Sequence, residues 1–189
     1  MIDFISFSLL ALLLGAFYLK RSFLVRYRFL VFFIFFLLLT FLNSELLFSQ
    51  YQLWQKNELT RYFLPPYQGF RYLFFYGLKN IYGKYLFSLL AALIIWLLTF
   101  LLNRFFQFKF FYQEEGLLIA SSIFLIGYPF FVFYLLLSLV LFFIFSFSLS
   151  FFRRNLLFSF RHLWVPVALF VILISNWLAN FYWWPNLKF

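Results

Sequence analysis

Apolar side chains fill five long runs of this sequence, and short stretches with lysine and arginine separate most of them. The longest run, residues 117–152, carries no charged side chain. As one helix it would extend about 54 Å, whereas the hydrocarbon core of a bilayer is about 30 Å thick. We therefore expect it to fold back at Gly127-Tyr128-Pro129, because glycine permits unusual backbone angles and proline cannot continue a helix. The other runs are residues 4–19, 29–42, 85–102 and 163 to about 178.

The runs predict membrane-spanning helices, because they are too long for barrel strands and lack alternating polar positions. Counting the folded-back run as two gives six spans. The composition agrees: 67% of the residues are hydrophobic and 11% are charged, more apolar surface than a soluble core of 189 residues could bury. The predicted fold class is an all-α, polytopic integral membrane helical bundle with six or seven spans. We expect one membrane domain over residues 1–189, with N-terminal helices and a polar segment in 1–57.

The formal charge of +10 comes mostly from residues between the apolar runs. There, lysine and arginine orient spans and meet anionic headgroups of the lipid bilayer, so we do not expect nucleic-acid binding. The chain has no cysteine, which excludes disulfides and thiolate chemistry. Ala11 and Gly15 are a small-residue pair that could let another helix approach the first span closely.

Residues 43–84 allow two topologies. This segment begins polar, becomes aromatic and apolar, and is interrupted by Arg71. Residues 64–78 are either an interfacial or re-entrant helix or a seventh span packed inside the bundle. With six spans, nine basic residues face one side and six the other, which puts both termini outside. With seven spans the count is seven against seven, and Arg71 lies in the membrane, where we expect other helices to bury it.

Ionisable groups suited to chemistry are few. Asp3 is the one aspartate, and His162 is the one histidine. We expect no metal site or cofactor, and we expect His162 to be a solvated residue at a helix start. The remaining acids are Glu45, Glu58, Glu114 and Glu115, for which ordinary membrane-interface charge is the simplest explanation.

Two segments resemble the type IV prepilin peptidase family of intramembrane aspartyl proteases. The segment Tyr112-Gln113-Glu114-Glu115-Gly116-Leu117-Leu118, followed by Gly127-Tyr128-Pro129, is similar to the family's G-x-G-D-x-K-L motif and the helix that it opens. Glu115 falls on the aspartate. Upstream, Glu58 stands seven residues before Pro65, with Arg61 and Leu64 in matching places. The resemblance covers residues 58–180.

The resemblance implies that Glu58 and Glu115 form a catalytic pair on one cytoplasmic side, which requires seven spans. It also implies a prokaryotic cell membrane, a prepilin-like substrate, and a role in pilus or secretion assembly. Both aspartates are replaced by glutamates, and Leu117 replaces the motif lysine. A carboxylate dyad depends on the separation of its acids, so an added methylene on each predicts a weakened or inactive peptidase.

Two other hypotheses stay open. The protein could be a six-span subunit that binds a small molecule or partner helices without catalysis, or it could be a structural component of a bundle. The polar candidates for binding are Ser121, Ser122, Asn176 and Asn180, which interrupt otherwise apolar helices. Proximity separates the hypotheses, because only a peptidase needs Glu58 and Glu115 to face each other across one pocket.

Overall fold

The computed structural model describes residues 2–106, 111–152 and 162–178, and within these ranges the chain is helical without strands. The described helices are α1 (Ile2–Leu19), α2 (Arg21–Arg26), α3 (Arg28–Lys56), a 3-10 turn (Thr60–Phe63), α4 (Phe70–Tyr76), a π segment (Gly77–Tyr82), α5 (Gly83–Phe105), α6 (Glu115–Ile126), α7 (Phe130–Phe152) and α8 (Trp164–Leu178). The all-helical prediction is confirmed for this part of the chain.

Among the described residues, three helices are long and apolar enough to cross a membrane by length and composition. They are Arg28–Lys56, Phe70–Phe105 and Phe130–Ser148. Three further apolar helices are shorter, over Phe4–Leu19, Glu115–Ile126 and Trp164–Ser175. Many large apolar side chains on the long helices are exposed, as expected where lipid rather than water surrounds the protein.

The predicted reversal within residues 117–152 is confirmed. Helix α6 ends at Ile126, Gly127 has φ +79, and α7 begins at Phe130. The side chain of Tyr134 on α7 lies beside that of Ser122 on α6, so α7 runs back along α6. The two helices form a hairpin.

Helix α6 is the centre of the bundle. All twelve of its residues are buried, which explains why its sequence is apolar on every side. It packs most extensively against α5, and it also contacts α1, α3, α7 and α8. The ring of Phe124 lies within 6.4 Å of the rings of Phe32, Phe36 and Tyr85. The last turn of α6 is therefore packed against α3 and α5.

Residues 64–78 do not form a separate helix, because their second half is the start of a longer one. Helix α3 continues through the polar residues to Lys56, and the chain enters helix again at Phe70 and stays helical to Phe105. No break separates residues 70–78 from the apolar run at 85–102, because Gly77 and Gly83 both adopt helical backbone angles. Arg71 is exposed rather than buried, and its guanidinium lies 5.5 Å from the ring centre of Phe75.

Candidate ligand-binding site

Glu58 lies in the exposed segment that follows the last residue of α3. The side-chain oxygen of its neighbour Asn57 accepts a hydrogen bond from the backbone N–H of Leu59 at 3.0 Å, which shapes this turn. An open depression around Glu58 is lined by Trp54, Lys56 and other residues near the end of α3. The surroundings are those of a solvated helix end.

Glu115 is buried, whereas Glu58 is exposed. It is the first residue of α6 and only 2% of its surface is exposed. Its Oε2 accepts a hydrogen bond from the backbone N–H of Tyr112 at 3.3 Å. The positive end of the α6 dipole also favours a carboxylate at this position. Glu114, which precedes the helix, is fully buried as well.

The structure does not bring Glu58 and Glu115 together. Arg28, the first residue of α3, lines a cavity with Gly116, whereas Glu58 follows the last residue of the same helix. A 29-residue helix is about 43 Å long. The two glutamates therefore lie near opposite ends of the bundle, far beyond the distance at which two carboxyl groups share a proton.

A polar cavity of about 260 Å³ lies beside Glu115. Thr99 and Asn103 of α5 contribute its polar wall, and Gln113 lies where the chain enters α6. The Asn103 side-chain oxygen accepts a hydrogen bond from the backbone N–H of Phe111 at 2.7 Å, which fixes the segment before α6. The complete lining is Val25, Arg28, Trp96, Thr99, Phe100, Asn103, Tyr112, Gln113 and Gly116.

Gly116 sets the shape of this cavity by letting α6 approach α5 closely. A Cβ atom at this position would lie 2.9 Å from Thr99 Oγ1 and 3.1 Å from Trp96 Cδ1. Both distances are shorter than ordinary van der Waals contact. A residue without a side chain is therefore needed for this packing.

A larger apolar groove of about 1050 Å³ runs between α3 and α5. Trp96 forms part of its wall, stacked on Phe29 with ring centres 5.2 Å apart. Arg28, Trp96 and Phe100 line both the groove and the polar cavity, so we call the two together the composite cavity. The groove is lined by Arg26, Tyr27, Arg28, Phe29, Leu30, Phe32, Phe33, Phe36, Leu89, Leu93, Trp96, Leu97 and Phe100.

The polar candidates predicted on the apolar helices lie elsewhere. Ser121 and Ser122 are fully buried in α6 and line neither part of the composite cavity. Ser122 lies beside Tyr134, whose ring centre is 6.4 Å from that of Trp164. These groups belong to the core between α6, α7 and α8. The side chain of Asn176 and the whole of Asn180 lie outside the described residues.

His162 precedes α8 and is half-buried, contrary to the solvated position that we expected. Its ring centre lies 5.9 Å from that of Phe17 and 6.2 Å from that of Tyr18. Within the described ranges, His, Asp and Glu side chains form no group of three that could hold a metal ion.

The residues that line the composite cavity were missed from the sequence, although a signal for them exists. Thr99 and Asn103 are four residues apart, so they share one face of α5, and Trp96 stands three residues before Thr99. Polar groups on one face of an apolar helix indicate a face turned toward protein or a cavity rather than lipid.

Comparison with protein-family models, curated proteins and solved structures found no match to this chain.

Proposed function

We propose that the protein is a six-span membrane protein that binds an amphiphilic small molecule in the composite cavity, without catalysis. The observation that supports this proposal is that Arg28, Trp96 and Phe100 line both the apolar groove and the polar cavity. A single molecule with an apolar chain and a polar head can therefore occupy both. In this arrangement the three long and the three shorter apolar helices all cross the membrane, and both termini lie outside.

The polar cavity offers groups that recognise a head without reacting with it. Thr99 and Gln113 supply a hydroxyl and an amide, and Arg28 supplies a guanidinium. The groove offers aromatic and aliphatic walls, as ligand sites in proteins typically do. Its volume of about 1050 Å³ is large enough for a lipid-sized chain.

The experiment is a binding titration that uses Trp96 as the reporter. The chain has six tryptophans, so replacing the other five with phenylalanine leaves Trp96 alone. The protein is placed in phosphatidylcholine nanodiscs and titrated with lysophosphatidylcholine that carries bromine on its acyl chain. We expect saturable quenching of the Trp96 fluorescence, because the brominated chain enters the groove.

A matched pair of variants gives the control. Leu97 lines the groove and is 58% exposed, whereas its neighbour Leu98 does not line it and is 50% exposed. Leu97→Phe adds volume inside the groove and should raise the ligand concentration for half-maximal quenching at least tenfold. Leu98→Phe should leave that concentration unchanged. Quenching that never saturates, or that is equal in both variants, would contradict the proposal.

We also propose, from the likeness to prepilin peptidases, that the chain keeps the family's motif helix but not its catalytic pair. The supporting observation is that α6 begins at Glu115 and ends before Gly127, as the resemblance implies for the motif helix. We expect no cleavage of a prepilin leader. The double variant Glu58→Asp and Glu115→Asp should not restore cleavage either, because the two side chains lie near opposite ends of α3. Cleavage by the wild type that Glu115→Gln abolishes would overturn this second proposal.

A further inference from the structure

We infer that the molecule bound in the groove is an anionic phospholipid, with one acyl chain along the groove and its phosphate at Arg26 and Arg28. This inference rests on the proposed function, and it adds the class of the ligand and the residues that select it.

The charges at the groove are all of one sign. Arg26 and Arg28 line it, and none of the described residues that line it is acidic. Within the described part of the chain, the two guanidiniums contact aromatic faces: Arg26 lies 5.5 Å from the ring centre of Tyr27, and Arg28 lies 5.3 Å from that of Phe29. Stacking of this kind leaves the N–H groups at the edge of the guanidinium free to bind a phosphate with two parallel hydrogen bonds.

The local chain geometry explains why two arginines meet at this end. Helix α2 ends at Arg26, and Tyr27 departs from helical angles, with φ −110 and ψ 24. Helix α3 then begins at Arg28. The buried side chain of Leu24 anchors α2 in the core. The break therefore sets both arginines beside the groove.

The length of the groove fits one lipid leaflet. On α5 the lining extends from Leu89 to Phe100, which is about 17 Å along a helix axis. Half of the hydrocarbon core of a bilayer is about 15 Å. Arg28 starts a helix that is longer than the whole core, so the arginine end lies at headgroup level. An acyl chain in the groove therefore has its phosphate beside Arg26 and Arg28.

The test is native mass spectrometry of the full-length protein with equal amounts of dioleoyl phosphatidylglycerol and dioleoyl phosphatidylcholine. The two lipids have the same chains and differ in headgroup charge. We expect the singly bound state to favour phosphatidylglycerol at least fivefold, since each arginine near an anionic surface contributes roughly 1 kcal/mol. The variant Arg26→Gln with Arg28→Gln should bring the ratio close to one.

Arg104→Gln is the matched control. Arg104 is an exposed arginine near the end of α5, next to Asn103 of the polar cavity, but it lines neither part of the composite cavity. Its replacement should leave the preference intact. A preference that survives the double variant, or that is lost equally with Arg104→Gln, would overturn the inference.

Further measurements distinguish a failure of this inference from a failure of the proposed function. If Leu97→Phe reduces total lipid retention but the wild type shows no preference for phosphatidylglycerol, the inference fails and the proposed function stands. If Leu97→Phe and Leu98→Phe retain lipid equally, both fail. Ammonium phosphate at millimolar concentration should not remove the preference, and its removal would assign the arginines to free phosphate instead of a lipid.

Discussion

Gly116 is the residue on which the composite cavity depends most directly. Gly116→Ala places a Cβ atom 2.9 Å from Thr99 Oγ1 and 3.1 Å from Trp96 Cδ1, so α6 must move away from α5. Overpacking of this kind costs about 1–3 kcal/mol. We expect a lower melting temperature in detergent, measured by tryptophan fluorescence during heating.

Gly15→Ala is the control for this substitution. A Cβ at Gly15 would meet no atom within 4 Å, so the small-residue pair Ala11 and Gly15 does not mark a close helix contact within the described residues. Alanine there should leave the melting temperature unchanged or raise it, since alanine is the better helix former. A larger loss of stability for Gly15→Ala than for Gly116→Ala would contradict this account of the packing.

At the residue scale, the sequence predicted where helices and turns begin better than it predicted which side chains lie close together in space. The turn at Gly127 follows from a local Gly-Tyr-Pro stop, and the start of α6 at Glu115 is where the resemblance implies that the motif helix begins. The distance between Glu58 and Glu115 depends on how many helices cross between them. No local pattern encodes that number, so the expected pairing of the glutamates did not follow from their motifs.

Among the elements, the α6–α7 hairpin depends on Gly127. Its angles, φ 79 and ψ 162, fall in a region that is essentially restricted to glycine. Gly127→Ala should therefore cost about 1–3 kcal/mol, through backbone strain at the turn. We expect a lower melting temperature and a lower yield of folded protein in detergent.

Gly69→Ala is the comparison for this turn. Gly69 has φ −67, and a Cβ there meets no atom within 4 Å, so alanine should be tolerated. Equal destabilisation by the two substitutions would show that the left-handed angle at Gly127 is not the cause.

The helices were predicted well where hydropathy alone defines them and poorly where polar residues continue a helix. Helix α1 and the α6–α7 pair match their apolar runs. Helix α3 extends fourteen residues beyond its run, because Gln, Ser and Glu are compatible with a helix that leaves the hydrocarbon core. The continuous helix Phe70–Phe105 was not expected from the hydropathy. It is continuous because its glycines keep helical backbone angles.

For the molecule as a whole, the exposed apolar faces should lie in lipid. Ile94 is near the middle of α5, is 58% exposed and lies outside the groove lining. A lysine at the centre of a span costs about 2.5–3.5 kcal/mol in insertion. Ile94→Lys should therefore lower the yield in the membrane fraction at least tenfold, whereas Phe105→Lys, at the end of the helix, should not. Equal yields would contradict the assignment of α5 as a span.

The measurement that tests the central claim is the sidedness of the two glutamates. The chain has no cysteine, so each substitution introduces a single thiol. Asn57→Cys places it at an exposed position next to Glu58, and Gln113→Cys places it at an exposed position near Glu115. Cells that express either variant are treated with a membrane-impermeant thiol reagent, before and after permeabilisation. We expect Cys at position 57 to react in intact cells and Cys at position 113 to react only after permeabilisation. Equal protection of both positions, relieved together by permeabilisation, would put the glutamates on one side and contradict this account.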